Sequence, residues 1–129
     1  MSESAKVILD TNFIMIPEQV GLDIFDEIQK SLYKPVKLFV CSGTINELQK
    51  LTNTGKGSDK RAAKLALRLL DEKNIEIIDT KDKFVDDALV ELSDRGYIVA
   101  TQDLGLKKRL NKYLYMRQKK FIEIRGTAD

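Results

Sequence analysis

"KVILDTNFIM", residues 6–15, sets an aspartate inside an apolar run. Lys6, Val7, Ile8 and Leu9 have the composition of a short buried strand. Asp10, Thr11 and Asn12 interrupt it, and Phe13 and Ile14 resume it. A carboxylate buried among carbons is costly unless something neutralises it. The reading of the chain therefore turns on where the first strand stops and what lies at its end.

Working outward, the pattern alternates between strand and helix. Val20, Ile24, Ile28 and Leu32 fall at helical spacing and predict a helix over 20–33, closed before Pro35. "VKLFVC" (36–41) reads as a second strand. "SGTINELQKL" opens a helix with Thr44 and Glu47 at capping-box spacing. "NTGKGSDK" (53–60) is a loop, and Ser58 is placed to cap the next helix, with Ala62, Leu65 and Leu69 in its apolar stripe. "IEIID" (75–79) is a third strand. "KFVDDALVELSDRG" is a helix with Gly96 at the position just past its end. "YIVAT" (97–101) reads as a central strand, "LGLKKRLNKYL" as a basic helix, and "KFIEI" (120–124) as a last strand. Alternation of this kind predicts one domain over residues 1–129, an α/β sandwich around a mainly parallel sheet.

With 129 residues, 43% hydrophobic and 33% charged, the composition is that of a globular domain. No apolar run approaches the roughly 20 residues of a membrane span. "MSESAK" lacks the apolar core of a signal peptide, and the expected location is cytoplasmic. Cys41, the single cysteine, reads as a small core residue. There is no histidine, which removes the commonest general base and the usual zinc ligand. Net charge is only +2, yet Leu104 to Arg125 holds eight bases against one acid, Glu123. That end would meet a polyanion.

In parallel α/β sheets, ligands bind beyond the carboxyl ends of the strands. Asp10 ends the first strand and Asp103 follows the fourth. Glu47 lies early in the helix after the second strand, and Asp86 and Asp87 open the helix after the third. All are expected at one edge of the sheet. Carboxylates crowded together remain ionised only beside cations. An oxygen-only donor set suits Mg²⁺ or Mn²⁺, and such a site supports phosphodiester hydrolysis.

"VILDTNFI", "INELQKL", "VDDALVEL" and "YIVATQDLGLKKRL" together resemble the PIN-domain family of metal-dependent ribonucleases, over nearly the whole chain. The family's four acids occur in order, as Asp10, Glu47, Asp87 and Asp103. Within the family, the likeness is greatest to the PIN proteins of small-subunit ribosomal RNA processing and their short archaeal relatives. The resemblance implies a three-layer α/β/α fold and endonucleolytic cleavage of single-stranded RNA, with pre-rRNA as a candidate substrate and room for a protein partner or a homo-oligomer. It gives metal to Asp10, Asp87 and Asp103, with Glu47 completing the acidic ring. Asn12 and Thr101 would orient the ligands through hydrogen bonds. Asp86 is a doubtful neighbour, because adjacent helical side chains point about 100° apart. Lys56, Lys60 and Arg61, with Lys107, Lys108, Arg109 and Lys112 on the helix after Asp103, would grip RNA phosphates.

Three other readings compete. A toxin-type PIN ribonuclease would share the acids and require an antitoxin. A non-catalytic RNA-binding or assembly module would retain them for stability. A phosphatase whose first strand ends in Asp would want a second Asp two residues on, where this chain has Asn12. "TGKGSD" lacks the spacing of a nucleotide-binding P-loop.

Overall fold

The computed structural model describes residues 4–126. β1 (Ala5–Leu9) is followed by three helices, α1 (Thr11–Ile14), α2 (Ile16–Val20) and α3 (Ile24–Leu32). β2 (Val36–Cys41) leads to α4 (Ser42–Thr54) and α5 (Gly57–Glu72). β3 (Glu76–Ile78), α6 (Val85–Asp94), β4 (Ile98–Ala100) and α7 (Leu104–Lys107) come next, and the hairpin of β5 (Lys112–Arg117) and β6 (Phe121–Gly126) ends the described chain. The six strands run in the order β3-β2-β1-β4-β5-β6. All neighbours are parallel except β5 and β6.

Strand alternation divides the core into two layers. Val7, Leu9, Val40, Ile98, Ala100 and Leu114 face the layer of α2, α3 and α5. Ile8, Phe39, Cys41 and Val99 face α6 and α7, where Ala88, Leu89, Leu92 and Leu106 close over them. Side chains on alternate faces of a doubly covered sheet give this pattern, and the predicted three-layer architecture holds. Cys41 is fully buried, as expected of a core residue.

Several local expectations need correction. The apolar run after Asp10 forms two short helices, and the predicted 20–33 helix begins only at Ile24. Asp23 caps it there by accepting from the Phe25 and Asp26 amides. The capping box is not formed: α4 starts at Ser42, and Thr44 lies buried inside it. Ser58 caps nothing, since α5 already starts at Gly57. Gly96 does sit just past α6 with φ 102°, a backbone conformation that glycine adopts without strain.

The largest departure is in "LGLKKRLNKYL". Its helix stops at Lys107, and Lys112 to Arg117 become a strand between β4 and β6. Leu106, Leu110 and Leu114 have helical spacing, but Leu114 enters the layer opposite Leu106 and Leu110. Strand pairing on both edges outweighs the local periodicity. β5 and β6 are joined through Gln118 and Lys119, both at φ 57°, with the Lys120 amide donating to the Arg117 carbonyl at 3.1 Å. Two central residues with positive φ match the right-handed twist of the strands they join.

Candidate active site

The sheet reverses its winding between β1 and β4: the chain leaves β1 toward β2 and β3, then returns to β4 on the other side. A crevice opens at such a switch point. Asp10 and Asp103 stand at its two lips.

Asp10 ends β1 and caps α1. It is 6% exposed, yet each oxygen of its carboxylate accepts a hydrogen bond. Oδ1 accepts from the Thr11 amide at 2.8 Å, and Oδ2 accepts from the Thr101 hydroxyl at 2.6 Å. The Asp10 amide donates to the Ala100 carbonyl at 2.9 Å, tying the ends of β1 and β4 together. The interruption of the apolar run is thus the end of the strand, where a carboxylate meets donors instead of carbons.

The segment after β4 is pinned at each residue. Thr101 donates its amide to Leu114 at 3.0 Å, and its hydroxyl accepts from the Asp103 amide at 3.0 Å. The Gln102 amide donates to Asn12 Oδ1 at 3.3 Å. The Gln102 side chain carries the ladder onward: it donates to the Met116 carbonyl at 3.2 Å and accepts from the Met116 amide at 2.5 Å. Asp103 caps α7 by accepting from the Leu106 amide at 2.9 Å, which leaves its second oxygen to the cleft. Thr101 contacts Asp10 and the Asp103 amide, whereas Asn12 reaches the Gln102 amide and no carboxylate.

Two further walls complete the site. Glu47, on α4, accepts a hydrogen bond from the Thr11 hydroxyl, whose oxygen lies 3.2 Å from the Thr44 hydroxyl. Asp86 stands in the first turn of α6. That turn approaches α4 so closely that a Cβ on Gly43 would meet Val85 Cγ2 at 2.8 Å. The resulting open cleft, about 550 Å³, is lined by Asp10, Glu47, Asp86 and Asp103, with Lys50 a base at its edge.

Asp87 does not join them. It turns outward and accepts from Arg109 at 2.8 Å, and Asp86 takes the cleft position instead. The basic residues are also redistributed. Lys107 ends α7, Lys108 and Arg109 follow it, and Lys112 lies on β5. Lys56, Lys60 and Arg61 stand exposed at the α4–α5 corner and do not line the cleft. The sequence marks Thr44 only as a helix cap and singles out neither Thr11 nor Gln102. Thr11 and Gln102 sit inside the Asp-Thr-Asn and Thr-Gln-Asp triplets, where turn chemistry hid their long-range contacts.

The electrostatics follow from this crowding. Burial raises the Asp10 carboxyl to about 6, against its hydrogen bonds from Thr101 and Thr11; the charges of Asp86 and Glu47 add to the rise. Burial, then Asp103, raises Asp86, with Arg109 opposing. Burial, then Asp10 and Glu47, pushes the Cys41 thiol up to about 12. Among the described residues no three carboxylates are drawn together tightly enough to form a closed metal cage. The donor set is nevertheless all oxygen, convergent and short of positive charge. It fits a hard divalent cation held partly through water.

Comparison with known proteins agrees with this geometry. A family model described as "PIN like domain" matches residues 7–126. Ribonuclease VapC4 of Methanocaldococcus jannaschii is 30% identical over 95% of this chain and 98% of its own length. The rRNA-processing protein fcf1 of Schizosaccharomyces pombe is 32% identical over 82% of this chain, which spans 53% of that longer protein. The solved structure of the PIN domain endonuclease Utp24 superposes with a TM-score of 0.79 at 27% identity, covering 96% of this chain and 93% of that one. A match that runs from the first strand to the end of the hairpin leaves one conclusion: this chain is a member of the PIN-like domain family.

Proposed function

We propose that this chain is a divalent-metal-dependent endoribonuclease that hydrolyses phosphodiester bonds of single-stranded RNA. The observation that carries the reading is the meeting of four carboxylates, from four separate parts of the chain, at the switch point of the sheet. Asp10, Asp86 and Asp103 would hold the cation, Mg²⁺ or Mn²⁺, with Glu47 beside them. Once bound, such a cation supplies neutralisation of the acidic ring and Lewis-acid polarisation of a phosphoryl oxygen and of water.

The protein's own part is positioning. Thr101 and Thr11 fix the Asp10 carboxylate from both sides, so its remaining lone pairs face the cleft. The Asp103 amide, held by the Thr101 hydroxyl, sets that carboxylate from the same anchor. Thr11 restrains Glu47, which would otherwise sweep freely from an exposed helix face. Fixed ligands of this kind spare reorganisation when charge develops at the phosphorus. An open cleft admits an unpaired strand readily, and single-stranded backbone can bend into it.

We take the substrate to be RNA undergoing maturation, with pre-rRNA first, which likeness to rRNA-processing proteins supports; the proposed location is cytoplasmic. A toxin-type role is the second reading, supported by likeness to VapC4 along its full length. Among the described residues no helix is long and apolar enough to cross a membrane.

The test is cleavage of end-labelled single-stranded RNA with Mg²⁺, with Mn²⁺ and with chelator. Wild type should cleave only with metal. Asp103→Asn should lower single-turnover cleavage on the order of a thousandfold or more, without weakening RNA binding. Binding with no metal-dependent cleavage, across several RNAs, would replace this reading with that of a non-catalytic RNA-binding module.

A further inference from the structure

We propose that Lys107 and Arg125 form one phosphate clamp, built on Tyr115, which grips the RNA backbone beside the acidic cleft. The ligand class rests on the ribonuclease reading; the geometry does not. Lys107 ends α7, one turn beyond Asp103. Its Nζ stands 4.9 Å from the centre of the Tyr115 ring and 5.6 Å from that of Tyr113. Arg125 comes from β6 and lies over the same Tyr115 ring, its Cζ 5.1 Å from the centre. Its guanidinium also donates to the Tyr115 hydroxyl at 3.1 Å. Two cations from different elements thus share one aromatic support.

Both are held in place without being neutralised. Among the described residues neither Lys107 nor Arg125 makes an ion pair. The nearby acid, Glu123, accepts from the Tyr115 hydroxyl at 3.3 Å and pairs with Arg117 at 3.0 Å. Cation–π contacts orient the two charges at low entropic cost. Like charges brought together repel, and an anion between them removes the repulsion. The Lys107 amine accordingly lies below its usual range, through burial first and Arg125 second, with Asp103 pulling it upward. A guanidinium fork beside an ammonium is well matched to a phosphodiester, and a strand with one linkage in the cleft would offer a neighbouring phosphate here.

The experiment is a salt titration of binding, with a labelled single-stranded RNA of about 12 nucleotides in EDTA, which stops metal-dependent turnover. Each phosphate contact on a single strand adds about 0.7 to the slope of log affinity against log salt. If one phosphate is shared, Lys107→Gln, Arg125→Gln and the double variant should each lower the slope by about 0.7. Affinity at moderate salt should fall about three- to tenfold in each single variant, and the double should lose little more. Arg125→Lys keeps the charge without the fork, so it should recover the slope but only part of the affinity. Thermal melts check that each variant is folded. A double variant that loses the sum of the two single effects would mean two independent contacts and would overturn the clamp. Unchanged slopes would overturn it too. The ribonuclease reading fails separately, if wild type binds this RNA with the expected slopes but never cleaves it with metal. Wild type that binds no RNA overturns both.

Discussion

The two ends of the β1-β4-β5-β6 half of the sheet treat charge in opposite ways. At β1 and β4 the charges are acidic, inward and bound into a network. At the β5–β6 hairpin and the adjoining end of α7 they are basic, and Arg125 and Lys107 lie over the Tyr115 ring. The first arrangement is costly. Asp10 receives two hydrogen bonds, yet burial and its acidic neighbours still hold its carboxyl at about 6, against an ordinary 3.8. Keeping it ionised at neutral pH costs about 3 kcal/mol. The second arrangement costs little, because a long basic side chain can cover an aromatic surface while its head stays wet. The acidic ring is therefore a liability to folding that only a bound cation offsets, whereas the hairpin cations can be exchanged without disturbing the core.

The sharpest way to break this comparison is at α6. Asp86→Asn should abolish most metal-dependent cleavage, on the order of a hundredfold or more, while Asp87→Asn should stay within about tenfold. Single-turnover rates of the two variants would decide, and equal losses would return Asp87 to the ring. Next in size is Thr101→Val, which removes the donor to Asp10 and the acceptor for the Asp103 amide. It should cost about 1–3 kcal/mol of stability, and cleavage should fall about 10- to 100-fold. Urea melts alongside rates would separate the two effects. A variant that lost stability but kept its activity would make Thr101 purely structural.

The smallest effect concerns Asp10 in the metal-free protein. Its folded value lies above that of the unfolded chain, so the folded state holds the proton more tightly. The contribution to stability is fullest below about pH 4 and declines as pH rises to about 6. Asp10→Asn should remove this decline and stabilise the metal-free protein at pH 7 by about 1 kcal/mol, since the amide repeats only part of the hydrogen bonding. Added Mn²⁺ should stabilise wild type and leave the variant almost unmoved. Melting curves from pH 4 to 8, with and without metal, measure both. Equal destabilisation under every condition would mark Asp10 as structural.

Much of this was legible in the chain itself. Strands bounded by turn residues, and helices between them, gave the layers. The carboxyl ends of those strands gave the edge where the acids meet. The rest depended on packing. Leu106, Leu110 and Leu114 repeat as a helix would, and only pairing with β4 and β6 turns Leu114 to the other face. The choice between Asp86 and Asp87 was closer to hand. Val85, Ala88, Leu89 and Leu92 mark the apolar stripe of α6; Asp86 borders it, and Asp87 lies across the helix. The clamp was hidden because Tyr113, Tyr115 and Arg125 share a face only once β5 is a strand registered against β6.

Cys41 gives the α6 layer a built-in clock. The thiol is fully buried at the end of β2, and its value near 12 leaves almost no thiolate at neutral pH. An alkylating reagent can reach it only when the layer of α6 lifts from the sheet. The labelling rate of this one sulfur therefore counts openings of the layer of α6 over the end of β2. Because the chain carries no second cysteine, that count can be read from the mass of the intact protein, without any engineered probe.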